Sequence, residues 1–600
     1  MYEYRAPRRD MQFVLHEVLQ AEQALAALGR DDLNRELIDG VLEEGAKFSE
    51  SVLSPLHWQG DQEGARWERG AVRTPAGYKA AFDAFAAAGW MGTHCDEAFG
   101  GQGLPYMASI AAGETFVAGA MAWRMASGLT EGAVAALQHG AAPLQQTQFI
   151  PKMVAGEWTG TMCLTEPQCG TDLGLMRTRA VPSADGTYRL SGTKIFITYG
   201  EHDLTDNIVH LVLAKLPDAP GGTRGISLFV VPKRRLLADG SPGAANGVDC
   251  ERIEHKMGIH GSPTCVMRFE NAEGWLVGKP HGGLAVMFIM MNHARLGVAL
   301  QGLALAERAW QAAALYATDR LQGRSLRGPV AVAQPADPLH VHPDVRRMLL
   351  TMRAFVEGGR VLLYQAYQWQ DTLDRHPEAA VRQQAESLVG FVVPVAKAFL
   401  TDMAMEVTGM AVQVHGGHGF IRDTGVEQLM RDAKITCLYE GTNGIQALDL
   451  MGRKVIGSGG ATVQTLLAEV QRVMATAPGA ANVPAAWTAA VHRLAQELGE
   501  LTTVVAGRVT HDTAEVGAAA HDYLNHAAYT LLAWCWWRTV AALEQDPGIA
   551  TNESLVWTAG KHATARFFFE RLLPRAAAHA AAVRAGAAGL MEVPAEALLA

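Results

Sequence analysis

Six hundred residues exceed what a single hydrophobic core organises, so several domains are expected. The chain is 49% hydrophobic and 19% charged, the balance of a globular protein rather than a disordered one. A net charge of −10 gives no sign of a general affinity for phosphate backbones, so no nucleic-acid partner is expected, although one polyanionic ligand needs only a few local cations.

The N-terminal stretch Met1–Asp10 is charged with no apolar run behind it, which argues against a signal peptide. The longest apolar stretches, Ala285–Met291 and Leu531–Trp537, fall short of the ~20 residues a membrane span needs, so no integral membrane association is expected. Seven scattered cysteines without a C-x-x-C pair fit a reducing, cytoplasmic setting and argue against a disulfide framework or structural zinc.

The first 160 residues read as helical, with Ala-rich periodic segments at Tyr78–Ala88 and Tyr106–Ala122 and a turn cluster at Phe99–Pro105. From Thr161 to Gly278 short β-branched runs (Lys194–Thr198, Ile208–Leu213, Ile226–Val231, Cys265–Phe269) predict a small antiparallel barrel or sandwich. Helices then return: Leu296, Leu300, Leu303 and Trp310 share one face of a long amphipathic segment. Beyond a Gly/Ala/Pro-rich linker, Val491, Leu494, Leu498, Leu501 and Val505 mark one further helix face, and Leu524, Ala528 and Leu531 another. The fold class is therefore mainly α with a central β domain. Its expected parts are an N-terminal extension (1–38), an N-terminal helical domain (39–160), a middle β domain (161–280), a C-terminal helical bundle (281–456) and an appended helical domain (461–600).

The densest unusual segment is Gln413–Gln446, QVHGGHGFIRDTGVEQLMRDAKITCLYEGTNGIQ. Its glycines at 416, 417 and 419 permit close approach of a flat or phosphorylated ligand. A helix from Gly425 to Cys437 leads to Glu440, which ends an apolar run and precedes a glycine turn. Such a carboxylate is a candidate buried base, or else an ordinary solvent-exposed helix end closed by Gly441. His415 and His418 have no third ligand nearby, so no metal is expected.

This segment resembles the C-terminal signature of the acyl-CoA dehydrogenase family, whose RDAKI-x-x-x-YEGT string carries the base for the substrate α-proton, here Glu440. Met162–Asp172 (MCLTEPQCGTD) resembles the family's flavin motif, with Cys169 where a Gly, Ala, Ser or Asn is usual. Gly192–Gly200 (GTKIFITYG) resembles its flavin-covering strand. The resemblance spans about residues 40–455. It implies an acyl-CoA dehydrogenase fold, with the helical bundle a four-helix one, and FAD as cofactor.

The roles implied are contacts from Leu164 and Thr165 to the isoalloxazine, from Thr171 to the pyrophosphate, Phe196 as a flavin cover and Thr198 near N5. Arg320, Gln413 and Gly417 match residues that contact the FAD of a neighbouring subunit, although Gly323 replaces the aromatic that normally accompanies Arg320. Thr442 joins the cofactor set, and Met291, Arg295 and Gly441 the substrate set. Members that place the base on another helix need an acid where this chain has His293 and Ala294. The implied reaction is α,β-dehydrogenation of an acyl-CoA to trans-2-enoyl-CoA, with FAD N5 taking the β-hydride and an electron-transfer flavoprotein taking the electrons. The N-terminal extension and the domain after 460 resemble the long bacterial branch of about 600 residues, which includes 3-methylmercaptopropionyl-CoA dehydrogenases and fatty acyl-CoA enzymes and tends to homodimers. Alternatives within the fold are an oxidase using oxygen and a non-catalytic flavoprotein that binds nucleic acid or a partner.

Overall fold

The computed structural model describes residues 3–545 and 552–600. Met1 and Tyr2 of the expected extension, and 546–551 of the expected appended domain, lie outside the described residues. The chain forms two compact units, one of Lys47–Pro105 and Thr115–Gly297, the other of Met1–Ala46, Tyr106–Glu114 and Val298–Ala600.

The first unit is built on a seven-stranded sheet. A short hairpin, β1 (Arg66–Glu68) and β2 (Ala71–Arg73), interrupts the segment expected to be helical. The sheet comprises β3 (Trp158–Cys163), β4 (Arg179–Pro182), β5 (Tyr188–Thr198), β6 (Asn207–Lys215), β7 (Ile226–Pro232), β10 (Val248–Ile253) and β11 (Thr264–Val277). A side hairpin pairs β8 (Arg234–Leu236) with β9 (Pro242–Ala245). Pairing runs β11–β5–β4–β6–β7 and back to β11, which closes a small barrel. It is not purely antiparallel as expected, because β6 pairs parallel to both β3 and β4.

The apolar strands read as near-continuous runs because both of their faces are covered. Along β6, Val209, Leu211 and Leu213 face one core while Val212 and Ala214 face the other. Along β7, Leu228 and Val230 alternate with Phe229 and Val231 in the same way. The outer core is completed by Ala133, Val134 and Leu137 of the helix Ile110–Gly140 and by Phe149, Ile150 and Met153 of Pro143–Val154.

The second unit is helical. Pro343–Arg375, Ala379–His415 and Val426–Thr436 precede the appended helices Ala461–Thr476, Ala485–Val509, Ala514–Leu543, Asn552–Phe567 and Arg575–Ala585. Val491, Leu494, Leu498, Leu501 and Val505 are all buried, as their spacing predicts. Phe568 and Phe569 of the aromatic Arg566–Arg571 segment are buried in the core as well.

Among the described residues two helices, Gly283–Asp319 and Ala379–His415, are long and apolar enough to cross a membrane by length and composition, contrary to the run-length reading. Interspersed polar residues break up their apolar runs. In Ala379–His415 the apolar window is 83% buried within the protein, which is the mark of a core helix.

A buried ion cluster ties the chain's ends into this unit. Arg360 donates to Glu114 and Glu307 at 2.6 Å and also to Asp10 near the N-terminus. Lys561 bonds Asp10 and lies 3.1 Å from Glu357. The cluster thus joins the N-terminal extension, the bundle and the appended domain. Every carboxylate in it has a cationic partner, with the Tyr364 hydroxyl and the Gln311 amide as further donors, and that makes the burial tolerable.

Candidate active site

In the helical unit, Gly425 (φ +74°) starts the helix Val426–Thr436, which closes at Cys437, three residues before Glu440. Glu440 is half-buried and stands at φ +58°, followed by Gly441 at φ +84°. A non-glycine residue in the left-handed region costs on the order of 1–3 kcal/mol and persists only where its surroundings over-determine it.

Side chains from two helices supply those surroundings. Gln446 Nε2 donates to the Glu440 carbonyl at 3.1 Å and to the Gly441 carbonyl at 3.4 Å. Lys397 Nζ donates to the Gly441 carbonyl and to Asn443 Oδ1, both at 2.8 Å. Asn443 Nδ2 in turn donates to Thr401 and Asp402 of the Ala379–His415 helix at 2.9 and 2.8 Å. Thr442 caps the helix Asn443–Leu448 by accepting from the Ile445 N–H. Tyr439 donates to Gln301, and burial, with the adjacent Glu440 charge second, pushes its phenol pKa well up. The turn is therefore not a plain helix end closed by Gly441.

In the barrel unit, the flavin-type loop is organised by Glu166 and Lys194. Glu166 accepts from the Arg177 N–H at 2.7 Å, from the Thr178 N–H at 3.0 Å and from Lys194 Nζ at 2.9 Å. Burial alone would raise its carboxyl pKa, but the Lys194 charge and the Thr178 hydroxyl bond hold it down at about 2. Lys194 also donates to the Leu164 carbonyl at 3.0 Å, and the Ile195 N–H donates to the Thr165 carbonyl at 2.9 Å. Cys169 exchanges both backbone bonds with Glu166 and is itself buried, so the unusual cysteine fits the loop. Gly192, at φ +157°, leaves room for Thr178, whose Oγ1 lies 2.4 Å from where a Cβ would stand.

The register of β5 on β11 passes from Ile197↔Cys265 to Lys194↔Met267, so β5 carries one extra residue there, a bulge. Phe196, in that bulge, has φ +60° and is 60% exposed. A strand phenylalanine of this kind ordinarily packs into a core; here it stands in the open beside Thr198. An exposed ring, the loop backbone at Leu164–Thr165 and the exposed Thr171 offer a surface and polar groups that fit the isoalloxazine and the pyrophosphate of FAD.

Met291 is partly buried against the outer core of the barrel unit, and Arg295 is buried with Nη1 3.5 Å from Asn292 Oδ1. Arg320, Gln413 and Gly417 are exposed in the helical unit. The loop after Arg320 is organised by buried Asp337, held at about 2 by the Ser325, Ala331 and Val330 N–H bonds. Nearby, Tyr316 stacks on His415 at 4.2 Å and bonds His418 at 3.1 Å. Among the described residues no group of three or more His, Cys, Asp or Glu could hold a metal ion.

Sequence reasoning singled out neither Glu166 and Lys194 nor Lys397 and Gln446. The signal was there in one case: Lys397 is a lysine inside the apolar run Val389–Leu400. Buried cations are placed for a partner.

Four family models cover most of the chain: the acyl-CoA dehydrogenase N-terminal domain (43–157), middle domain (161–272) and C-terminal domain (281–455), and an acetyl-CoA dehydrogenase C-terminal-like domain (466–594). The chain belongs to the acyl-CoA dehydrogenase family, flavin-dependent oxidoreductases that use FAD to dehydrogenate acyl-CoA thioesters. It is 43% identical to a 3-methylmercaptopropionyl-CoA dehydrogenase of Ruegeria pomeroyi, over 95% of this chain and 96% of the relative. It is 37% identical to a butyryl-CoA dehydrogenase of Syntrophomonas wolfei, over 78% of each chain.

Among solved structures, Caenorhabditis elegans ACDH-11 in complex with C11-CoA has a TM-score of 0.79 at 19% identity, covering 95% of this chain and 92% of its own. An acyl-CoA dehydrogenase complexed with FAD from Bacillus anthracis has a TM-score of 0.71 at 20% identity, covering 91% and 88%. Both share the fold.

Proposed function

We propose that this enzyme converts an acyl-CoA thioester to its trans-2-enoyl-CoA, with Glu440 as the base that removes the α-proton. The observation that carries the assignment is Glu440 itself, a half-buried carboxylate held in the left-handed region by buried donors on the carbonyls of residues 440 and 441. Removing an α-proton needs a fixed base and backbone or hydroxyl donors where charge builds on the thioester oxygen. The Glu440 N–H is the protein donor we assign to that oxygen.

Leu164, Thr165, Thr171, Phe196 and Thr198 are assigned to FAD, with Arg320, Gln413, Gly417 and Thr442 completing the cofactor set. Met291, Arg295 and Gly441 are assigned to the acyl-CoA. FAD, when bound, supplies the hydride acceptor. The division into parts at 39–160, 161–280, 281–456 and 461–600, a cytoplasmic homodimer, and an electron-transfer flavoprotein as acceptor belong to the same reading. Likeness at 43% identity over nearly the full length of both chains favours 3-methylmercaptopropionyl-CoA as the substrate.

The test is anaerobic flavin bleaching with 3-methylmercaptopropionyl-CoA and with straight-chain acyl-CoAs from butyryl to palmitoyl, on wild type and Glu440→Gln. We expect fastest bleaching with the thioether substrate and almost none in the variant, although it still binds FAD. A variant keeping more than a few per cent of the wild-type rate would remove Glu440 from its role. Peroxide formation in air without an electron acceptor would mark an oxidase instead.

A further inference from the structure

We infer that Lys397 and Gln446 are positioning residues for Glu440: together they grip the carbonyls of residues 440 and 441 and so aim the carboxylate. The inference rests on Glu440 being the base. A peptide unit is planar, so fixing a carbonyl fixes the whole unit that bears it. Gln446 Nε2 holds the Glu440 carbonyl at 3.1 Å, and Lys397 Nζ holds the Gly441 carbonyl at 2.8 Å. Two consecutive peptide units after Glu440 are thereby set, and upstream the Tyr439 N–H bonds the Ile435 carbonyl at 3.1 Å, so the left-handed residue is held from both sides.

Both grips come from rigid elements. Lys397 is fully buried in the long Ala379–His415 helix, and Gln446 is fully buried in the helix that Thr442 caps. Lys397 is also braced by Asn443 Oδ1, itself 3.2 Å from Thr401 Oγ1 on the same long helix. The Asn443 N–H closes the turn onto the Cys437 carbonyl at 3.1 Å.

A second observation separates aiming from simple stabilisation. Gln446 Oε1 is buried with no hydrogen-bond partner. A buried unsatisfied oxygen opposes folding. A leucine of similar volume would remove that penalty together with the Nε2 bonds, so the two effects offset and the glutamine's net contribution to stability is small. The glycine at 441 fits the same design, because a Cβ there would stand 2.5 Å from Gln446 Nε2.

The experiment uses FAD-loaded full-length enzyme carrying Lys397→Met, Gln446→Leu or Glu440→Gln, with Leu466→Ala in the appended domain as a stability control. The readouts are the anaerobic rate of flavin reduction by 3-methylmercaptopropionyl-CoA, or by butyryl-CoA should that reduce the flavin faster, the Kd for that acyl-CoA, and the isotope effect of α-deuteration. Displacing a reacting group by about 1 Å costs on the order of 10²-fold in rate. Gln446→Leu is therefore expected to reduce flavin about 10- to 100-fold more slowly, with a raised α-deuterium effect, a Kd within about threefold of wild type and a smaller fall in Tm than Leu466→Ala. Leu466→Ala is expected to lose Tm and keep the rate. Lys397→Met should show the same rate loss, and Gln446→Leu carries the test alone should Lys397→Met not fold.

Wild-type reduction rates in Gln446→Leu, with Glu440→Gln inactive, would overturn the aiming role alone. Rapid reduction by Glu440→Gln would overturn the base assignment, and the aiming role with it.

Discussion

In the barrel unit a buried lysine, Lys194, donates to the Leu164 carbonyl and to the Glu166 carboxylate; in the helical unit a buried lysine, Lys397, donates to the Gly441 carbonyl and to the Asn443 carboxamide. Each holds the backbone of a loop that carries residues assigned to the site. The acceptors differ in charge. At the cofactor-type loop a carboxylate can accept from two backbone N–H groups, a hydroxyl and an ammonium together, which locks a long irregular segment. Beside the base, a carboxamide braces the lysine without adding another negative charge, and a like charge there would disfavour ionised Glu440.

That contrast can be broken at several points. The largest effect expected on stability is in Lys194→Met, which leaves the Glu166 carboxylate buried without its cation, at a cost of about 3–5 kcal/mol by urea unfolding. Restoring neutrality with Glu166→Gln in the same chain should recover part of that loss. Equal losses in Lys194→Met and Lys397→Met would mean that the charge of the acceptor is irrelevant.

Gly441→Ala forces a Cβ against Gln446 and strains a residue at φ +84°. It should lose about 1 kcal/mol or more of stability and at least tenfold in flavin reduction, both measurable on one preparation.

The Glu166 pair also sets an acid limit. Its carboxyl pKa is lowered to about 2, so its contribution is complete above the ordinary carboxylate range and is lost as the pH falls through that range towards 2. Thermal unfolding between pH 5 and 3 should therefore be steeper in wild type than in Lys194→Met/Glu166→Gln. Parallel curves would show that the pair does not govern acid stability.

Smallest for the fold is Phe196→Ala. A 60%-exposed ring contributes little to the core, so stability should move by less than about 0.5 kcal/mol while FAD affinity falls. Equilibrium dialysis against FAD checks the second half, and unchanged affinity would return Phe196 to an incidental surface residue.

Much of this was legible in the residues. The apolar faces of Val491–Val505, the strand cores at Ile208–Leu213 and Ile226–Val231, and the helix leading to Glu440 follow from periodicity, because burial selects residue type at fixed spacing. The bulge at Phe196 was not legible. On paper Ile195, Phe196 and Ile197 alternate as any strand does, and the extra residue exists only relative to β11. The parallel pairings of β6 with β3 and β4 were hidden for the same reason, since strand direction is a property of the partner.

By itself, then, the sequence determined that the chain is mainly helical around a β domain. It also determined which short segments carry chemistry and that Glu440 sits at the end of an apolar run. Only the tertiary structure decided that Glu440 adopts a left-handed backbone and that Lys397, some forty residues earlier, reaches its turn. It likewise decided that Glu166 and Lys194 organise the loop between Leu164 and Thr178. The reason is physical. Local propensity is encoded by near neighbours, whereas a buried charge or a strained dihedral is tolerated only when distant parts of the chain arrive to satisfy it.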